Sequence, residues 1–273
     1  MPLPNTITSD KLSRLIGTPR CPPLIDVRDN DDFDANPHLV PSSLRRPARG
    51  TESWSAEFRG LPAIIICRDG LTASHGIAAR LRSDGIAAEV LDGGIEAWRS
   101  AGLPVVSLAN LPITRDAVGR TVWVTRARPK IDRIACPWLI RRFIDPQAVF
   151  LFVPPSEVTS VAERFDATPF DIENVYWSHR GDNCTFDTMV EEFGLGTEPL
   201  LQLATLVRAA DTARLDLAPE AAGLLAASLG LSRMYADDLE QLDAGFVLYD
   251  AFYRWCRDAT DETHNWPTNK GRA

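Results

Sequence analysis

The chain has 273 residues, 45% apolar and 24% charged, a balance that excludes a disordered or fibrous protein. A net charge of −8 makes nucleic acid an unlikely partner for the chain as a whole, because neutralising phosphates needs clustered Lys and Arg. No stretch reaches the roughly 18 apolar residues of a membrane span, and the N-terminus lacks a basic segment followed by an apolar core, so neither a membrane partner nor a signal peptide is expected.

The length favours two domains. Five cysteines, Cys21, Cys67, Cys136, Cys184 and Cys256, are odd in number and widely spaced, unlike a secreted disulfide scaffold, and fit a reducing cytoplasm.

In chain order, "PPLIDV" at 22–27, "AIIIC" at 63–67 and "AAEVLDGG" at 87–94 read as strands too short and too uniformly apolar for a solvated edge. Between the last two, "ASHGIAARLRSDG" at 73–85 puts Ile77, Ala78 and Leu81 on one helical face and ends on Gly85. That is a β-α-β unit, so the first domain is α/β with a buried parallel sheet. Two prolines and no sustained period in 103–119 place the domain junction there, giving domains at 1–108 and 120–262, a linker at 109–119 and a tail at 263–273.

The second domain opens with strands "TVWVT" at 121–125 and "AVFLFVP" at 148–154. Between them "CPWLIRRFID" at 136–145 reads as a helix with Pro137 in its first turn. Helical periods then run through 198–211, 219–231 and 237–259, so this domain is α+β and helix-rich.

Cys67 ends a buried strand about one turn before a helix. The loop "RDGLT" is therefore expected to wrap its N–H groups around the sulfur, with the positive helix end aimed at it. Gly70 permits the tight turn, and Arg68 adds a positive charge. The alternative is a small apolar residue finishing a strand. A cysteine phosphatase would carry an arginine where this chain has Ala73 and a histidine where it has Ile66, which argues against phosphate-ester chemistry.

"LIDVRDNDDFDANPHLVPSSL", "CRDGLTASH" and "VLDGGIEAWRSAGLPV" resemble the rhodanese, or sulfurtransferase, superfamily over about residues 10–107. The resemblance implies that Cys67 is the catalytic residue and carries a sulfane sulfur as a persulfide. Arg68, Asp69, Gly70, Leu71 and Thr72 would then form the substrate-binding loop, with Asp26 and Arg28 supporting it. It also implies a small anionic sulfur donor and a thiol or cyanide-like acceptor, with no cofactor needed. Asp69 replaces the second basic residue of the thiosulfate-type loop, and its carboxylate would repel an incoming dianion. Asp26 and Arg28 read equally as an ion pair orienting the loop, and His75 reads as a solvated histidine.

Residues 120–142 hold Arg120, Arg126, Arg128, Lys130, Arg133, Arg141 and Arg142 against the single Asp132. Arg126, Arg128, Lys130 and Arg133 are candidates for an anion site, or for a solvated face paired with the acidic remainder. "SHRGDNCTFDTM" places His179 and Cys184 five residues apart with carboxylates near, a spacing able to supply ligands to a transition metal.

"DRIACPWLIRRFIDPQAVFLFVP", "SHRGDNCTFDTM", "LVRAAD" and "LYDAFYRW" together resemble the C-terminal domain of the chromate-resistance family ChrB over residues 120–258. The resemblance implies a bacterial protein linked to chromate or oxidative stress, with chromate among its partners and His179, Cys184 and Asp211 matching the family's polar positions. Arg208 stands where many relatives have a histidine. Two functions are therefore expected: a persulfide-forming sulfurtransferase, or a chromate- or metal-binding sensory protein whose first domain is a redox module.

Overall fold

The apolar runs become strands and the amphipathic ones helices in the computed structural model of the chain, which describes residues 5–112 and 114–262. The tail at 263–273 lies outside the described residues. The first half comprises β1 (Thr6–Ile7), α1 (Ser9–Ser13), β2 (Leu24–Asp26), α2 (Asn30–Asp34), β3 (His38–Leu39), β4 (Ser43–Arg45), β5 (Ala63–Ile66), α3 (Thr72–Ser83), β6 (Ala88–Leu91), α4 (Gly94–Ser100) and β7 (Val106–Ser107).

Five of these strands make one wholly parallel sheet in the order β1-β6-β5-β2-β4. The central strand β5 is buried on both faces, which is why it reads as an unbroken apolar run. Ile64 and Ile66 face one cluster, while Ile65 and Cys67 face another built with Ile77, Ala78 and Leu81 of α3. The two-residue strands at 6–7, 38–39 and 106–107 and the three-residue β4 are too short for any periodicity to announce them. The last of them, β7, lies inside the segment read as junction and pairs antiparallel with β3.

The second half comprises β8 (Val122–Arg126), α5 (Asp132–Leu139), a π-helical turn (Ile140–Ile144), β9 (Val149–Val153), α6 (Val158–Arg164), β10 (Thr168–Pro169), α7 (Thr185–Glu192), α8 (Glu198–Asp211), α9 (Ala221–Met234) and α10 (Asp238–Asp258). Its sheet is also parallel, in the order β10-β8-β9. The expected helix at 136–145 begins at Asp132 instead, so Pro137 sits inside α5 rather than in its first turn. Its lost N–H withholds one helical hydrogen bond, and the segment loosens to a π turn within a few residues.

One continuous apolar core spans both halves, joining Leu24, Ile64 and Trp98 to Trp123, Trp138 and Tyr249. Hydrogen bonds cross as well: Ser42 N–H donates to the Phe143 carbonyl at 2.6 Å, and the Asn110 side-chain amide donates to the Glu192 carbonyl at 2.5 Å. No helix among the described residues is long and apolar enough to cross a membrane.

Candidate functional site

The Cys67 loop leaves the carboxyl end of β5 and enters α3 at Thr72. Two glycines clamp it from below. Gly70 has φ +72, and a Cβ there would lie 2.6 to 2.7 Å from Leu91 O, Gly93 N and Gly94 N. Gly94 has φ +58, and its Cβ would lie 2.5 Å from the carbonyl oxygens of Cys67 and Arg68. Those carbonyls accept from Ile95 N–H and Glu96 N–H, both at 3.0 Å, so the turn after β6 supports the loop by direct backbone contact.

At the sulfur, Cys67 is 3% exposed. Its Sγ lies 3.1 Å from Ser74 Oγ, and its S–H donates to Asp69 Oδ1 at 3.5 Å. In place of the expected wrap of loop N–H groups, the sulfur's hydrogen-bond partners are these two side chains, and Leu71 N–H donates to Asp69 Oδ1 at 3.0 Å. That bond is the main reason the Asp69 carboxyl is held below its usual range.

Arg68, expected to meet an anionic donor, lies within ion-pair distance of Asp32 at 2.9 Å, Glu96 at 3.6 Å and Asp69 at 3.8 Å. Three carboxylates therefore surround one guanidinium at the loop mouth. Asp32, Glu96 and Ser74 were not singled out from the sequence, since what makes them part of the site is folding and not spacing.

Asp26 and Arg28 form a buried pair at 2.6 Å, each side chain 1% exposed. Arg28 also donates to the Asn36 carbonyl at 2.9 Å and the His38 carbonyl at 2.6 Å, tying the stretch before β3 to the end of β2. The pair orients a loop. His75 is half-buried on the first turn of α3.

In the second half, His179 Nε2 lies 3.3 Å from Asp211 Oδ2, 3.4 Å from Asp132 Oδ2 and 3.5 Å from Asp171 Oδ1. Hydrogen bonds to these three carboxylates push the imidazole pKa up to about 12. Burial pushes the Asp132 carboxyl the other way from an ordinary ion pair, up to about 6. Asp132 is presented by a strained turn: Ile131 has φ +32, and Tyr249 and Gln241 of α10 donate to the carbonyls of Ile131 and Pro129, fixing it.

Among the described residues, Asp132, His179 and Asp211 bring ligand atoms within 4.8 Å of one another, and Cys184 is not one of this group. Cys184 instead sits at the N-cap of α7, where its side chain accepts from the third helical N–H and its own N–H donates to Asp187. Burial raises its thiol pKa strongly. Asp132 was visible in the sequence only as the lone acid in a basic tract. Arg208 is committed to Asp187 at 2.6 Å.

The four candidate anion-binding cations fall into two groups. Arg126 and Arg133 both pair with Asp171, at 3.1 and 3.3 Å. Arg128 donates to the carbonyls of Ser232, Tyr235 and Ala236 at the end of α9, while its own N–H meets Asp238 at the start of α10. Lys130 borders a surface hollow with Arg128 and Arg233. All five cysteines are free thiols.

A parallel five-stranded sheet carrying one cysteine in the loop between its central strand and the next helix defines a rhodanese-like domain, and the family model for a rhodanese-like domain matches residues 8–101. The model for the C-terminal domain of ChrB matches residues 123–256, so the chain joins a rhodanese-like domain to a ChrB C-terminal domain. It is 35% identical to Protein ChrB of Cupriavidus metallidurans over 164 residues, which cover 58% of this chain and 48% of that one. An uncharacterized Synechocystis protein is 29% identical over 92 residues, covering 33% of this chain and 50% of its own. The chain thus spans about half the length of these curated relatives. Among solved structures, a rhodanese-related protein from Thermoplasma volcanium aligns with 23% identity and a TM-score of 0.33, over 37% of this chain and 97% of its own.

Proposed function

We propose that the protein is a sulfurtransferase that carries sulfane sulfur as a Cys67 persulfide, within a chain linked to chromate resistance through its second domain. The observation that carries this reading is the single cysteine at the sheet's carboxyl end, in a loop clamped by Gly70 and Gly94 and flanked by Ser74. Cys67 gives up its proton to solvent. Its thiolate attacks the outer sulfur of the donor, a new S–S bond forms, the donor's own S–S bond breaks, and the electron pair leaves with the donor fragment. A thiol or cyanide-like acceptor then takes the outer sulfur and regenerates the Cys67 thiolate.

The carboxylates around Arg68 oppose a compact dianion, so the donor favoured is a thiol-borne persulfide, whose sulfurs bear at most one negative charge, rather than thiosulfate. Sulfur transfer by wild type and Cys67→Ser, measured with glutathione persulfide and with thiosulfate, tests the reading. The persulfide should be the better donor for wild type, and Cys67→Ser should be inert. Equal activity in the two proteins overturns it.

A further inference from the structure

The second domain holds a group of side chains that sulfur transfer does not use. Asp132 starts α5, His179 lies in the loop before α7, and Asp211 ends α8, so three separate elements deliver one imidazole and two carboxylates to the same point. One ligand atom from each can lie within 4.8 Å of the others. Two ligands on a cation at about 2.1 Å stand roughly 3.0 to 3.4 Å apart at octahedral to tetrahedral angles. The His179 Nε2 separations from Asp132 and Asp211, 3.4 and 3.3 Å, fall in that range.

A salt bridge alone would give similar distances, but it does not account for Asp132. This residue is 1% exposed, and although its Oδ2 accepts the Thr185 N–H at 2.6 Å, its Oδ1 is buried with no hydrogen-bond partner. A buried carboxylate oxygen left unpaired is costly, and a bound cation is the partner that removes the cost. The surroundings are arranged as outer support. Asp171 accepts the Thr185 hydroxyl on one oxygen and the Arg126 and Arg133 guanidiniums on the other, which holds it beside His179 and offsets its charge. His179 is 41% exposed, so the site opens to solvent on one side.

We infer that Asp132, His179 and Asp211 form a binding site for a divalent first-row cation of the Mn2+ or Fe2+ kind, reached from solvent past His179. Two carboxylates make the donor set hard, and the single imidazole admits first-row metals. The buried thiol of Cys184 is left out of the set. With three protein ligands, the remaining coordination positions are open to water or to a small oxyanion.

The test uses the full-length protein stripped of metal and titrated with Mn2+, followed by electron paramagnetic resonance of the free ion. Mn2+ is chosen because it ignores thiols, which keeps Cys67 out of the readout. Wild type should bind one equivalent with a Kd below about 100 μM, and saturating Mn2+ should raise its melting temperature. Asp211→Asn and His179→Gln, each checked for wild-type circular dichroism, should weaken binding at least tenfold, while the exposed-acid control Glu163→Gln should not. Wild type that binds no Mn2+ at 1 mM overturns the inference, as does unchanged affinity in both folded variants.

Discussion

Replacing Gly70 by alanine tests whether the Cys67 loop is held by the turn after β6. Two costs add at this position. The backbone has φ +72, where alanine loses about 1 kcal/mol relative to glycine. The new Cβ would also lie 2.6 to 2.7 Å from three backbone atoms, which cannot rotate aside as a side chain would, adding about 1 to 3 kcal/mol of overpacking. Gly85 provides the control: its φ is +80, but nothing lies within 4 Å of its Cβ position, so Gly85→Ala should cost about 1 kcal/mol only. Urea denaturation followed by far-ultraviolet circular dichroism measures both. Gly70→Ala should be the more destabilised by about 1 to 3 kcal/mol, and sulfur loading of Cys67 should fall because its loop has moved. Equal midpoints and slopes for the two variants would refute the clamp.

Asp26→Asn leaves the Arg28 guanidinium buried without its counter-charge and should cost about 3 to 5 kcal/mol in the same assay; a loss under about 1 kcal/mol would contradict a structural role for the pair. Burial lifts the Cys21 and Cys256 thiols to about 11, so at pH 7.5 iodoacetamide should modify both about 100-fold more slowly than an ordinary thiol, and rapid labelling of either would count against their burial. In metal-free protein the His179 pKa, raised to about 12, keeps the ring cationic. A histidine shifted upward adds stability that is complete below its unfolded value near 6.5 and is lost progressively as pH rises from there through the folded value of about 12. Nitrogen-15 spectra of the ring should therefore show imidazolium from pH 6 to 9, and a neutral ring at pH 8 would contradict the contacts with the three carboxylates.

Much of the first domain was legible because β2 and β5 are buried on both faces, β6 is buried except at Glu89, and α3 keeps one apolar face, so their burial is written as local pattern. The sulfur's real neighbours were harder. Ser74 and Asp69 follow Cys67 closely in sequence, but Asp32 and Glu96 approach Arg68 only through the chain's return past β5, and no spacing encodes that. In the second domain the sequence offers His179 and Cys184 as a short-range pair, and folding gives the two residues different neighbours. Cys184 is occupied as a helix cap, while Asp132, brought in from α5 across 47 residues of chain, takes the place beside His179. Asp171 lies only eight residues before His179, but nothing in its local sequence marks it as a neighbour of the ring. The helix start at Asp132 was missed because a strained Ile131, rather than a side-chain cap, precedes it.

The most direct test of the central claim is mass spectrometry of the intact protein and of its Cys67 peptide after incubation with glutathione persulfide. Wild type should gain one sulfur atom, located on Cys67 and removed by a thiol acceptor or cyanide, and Cys67→Ser should gain none there. No added sulfur on Cys67, or equal loading of the Cys67→Ser protein, would contradict the account.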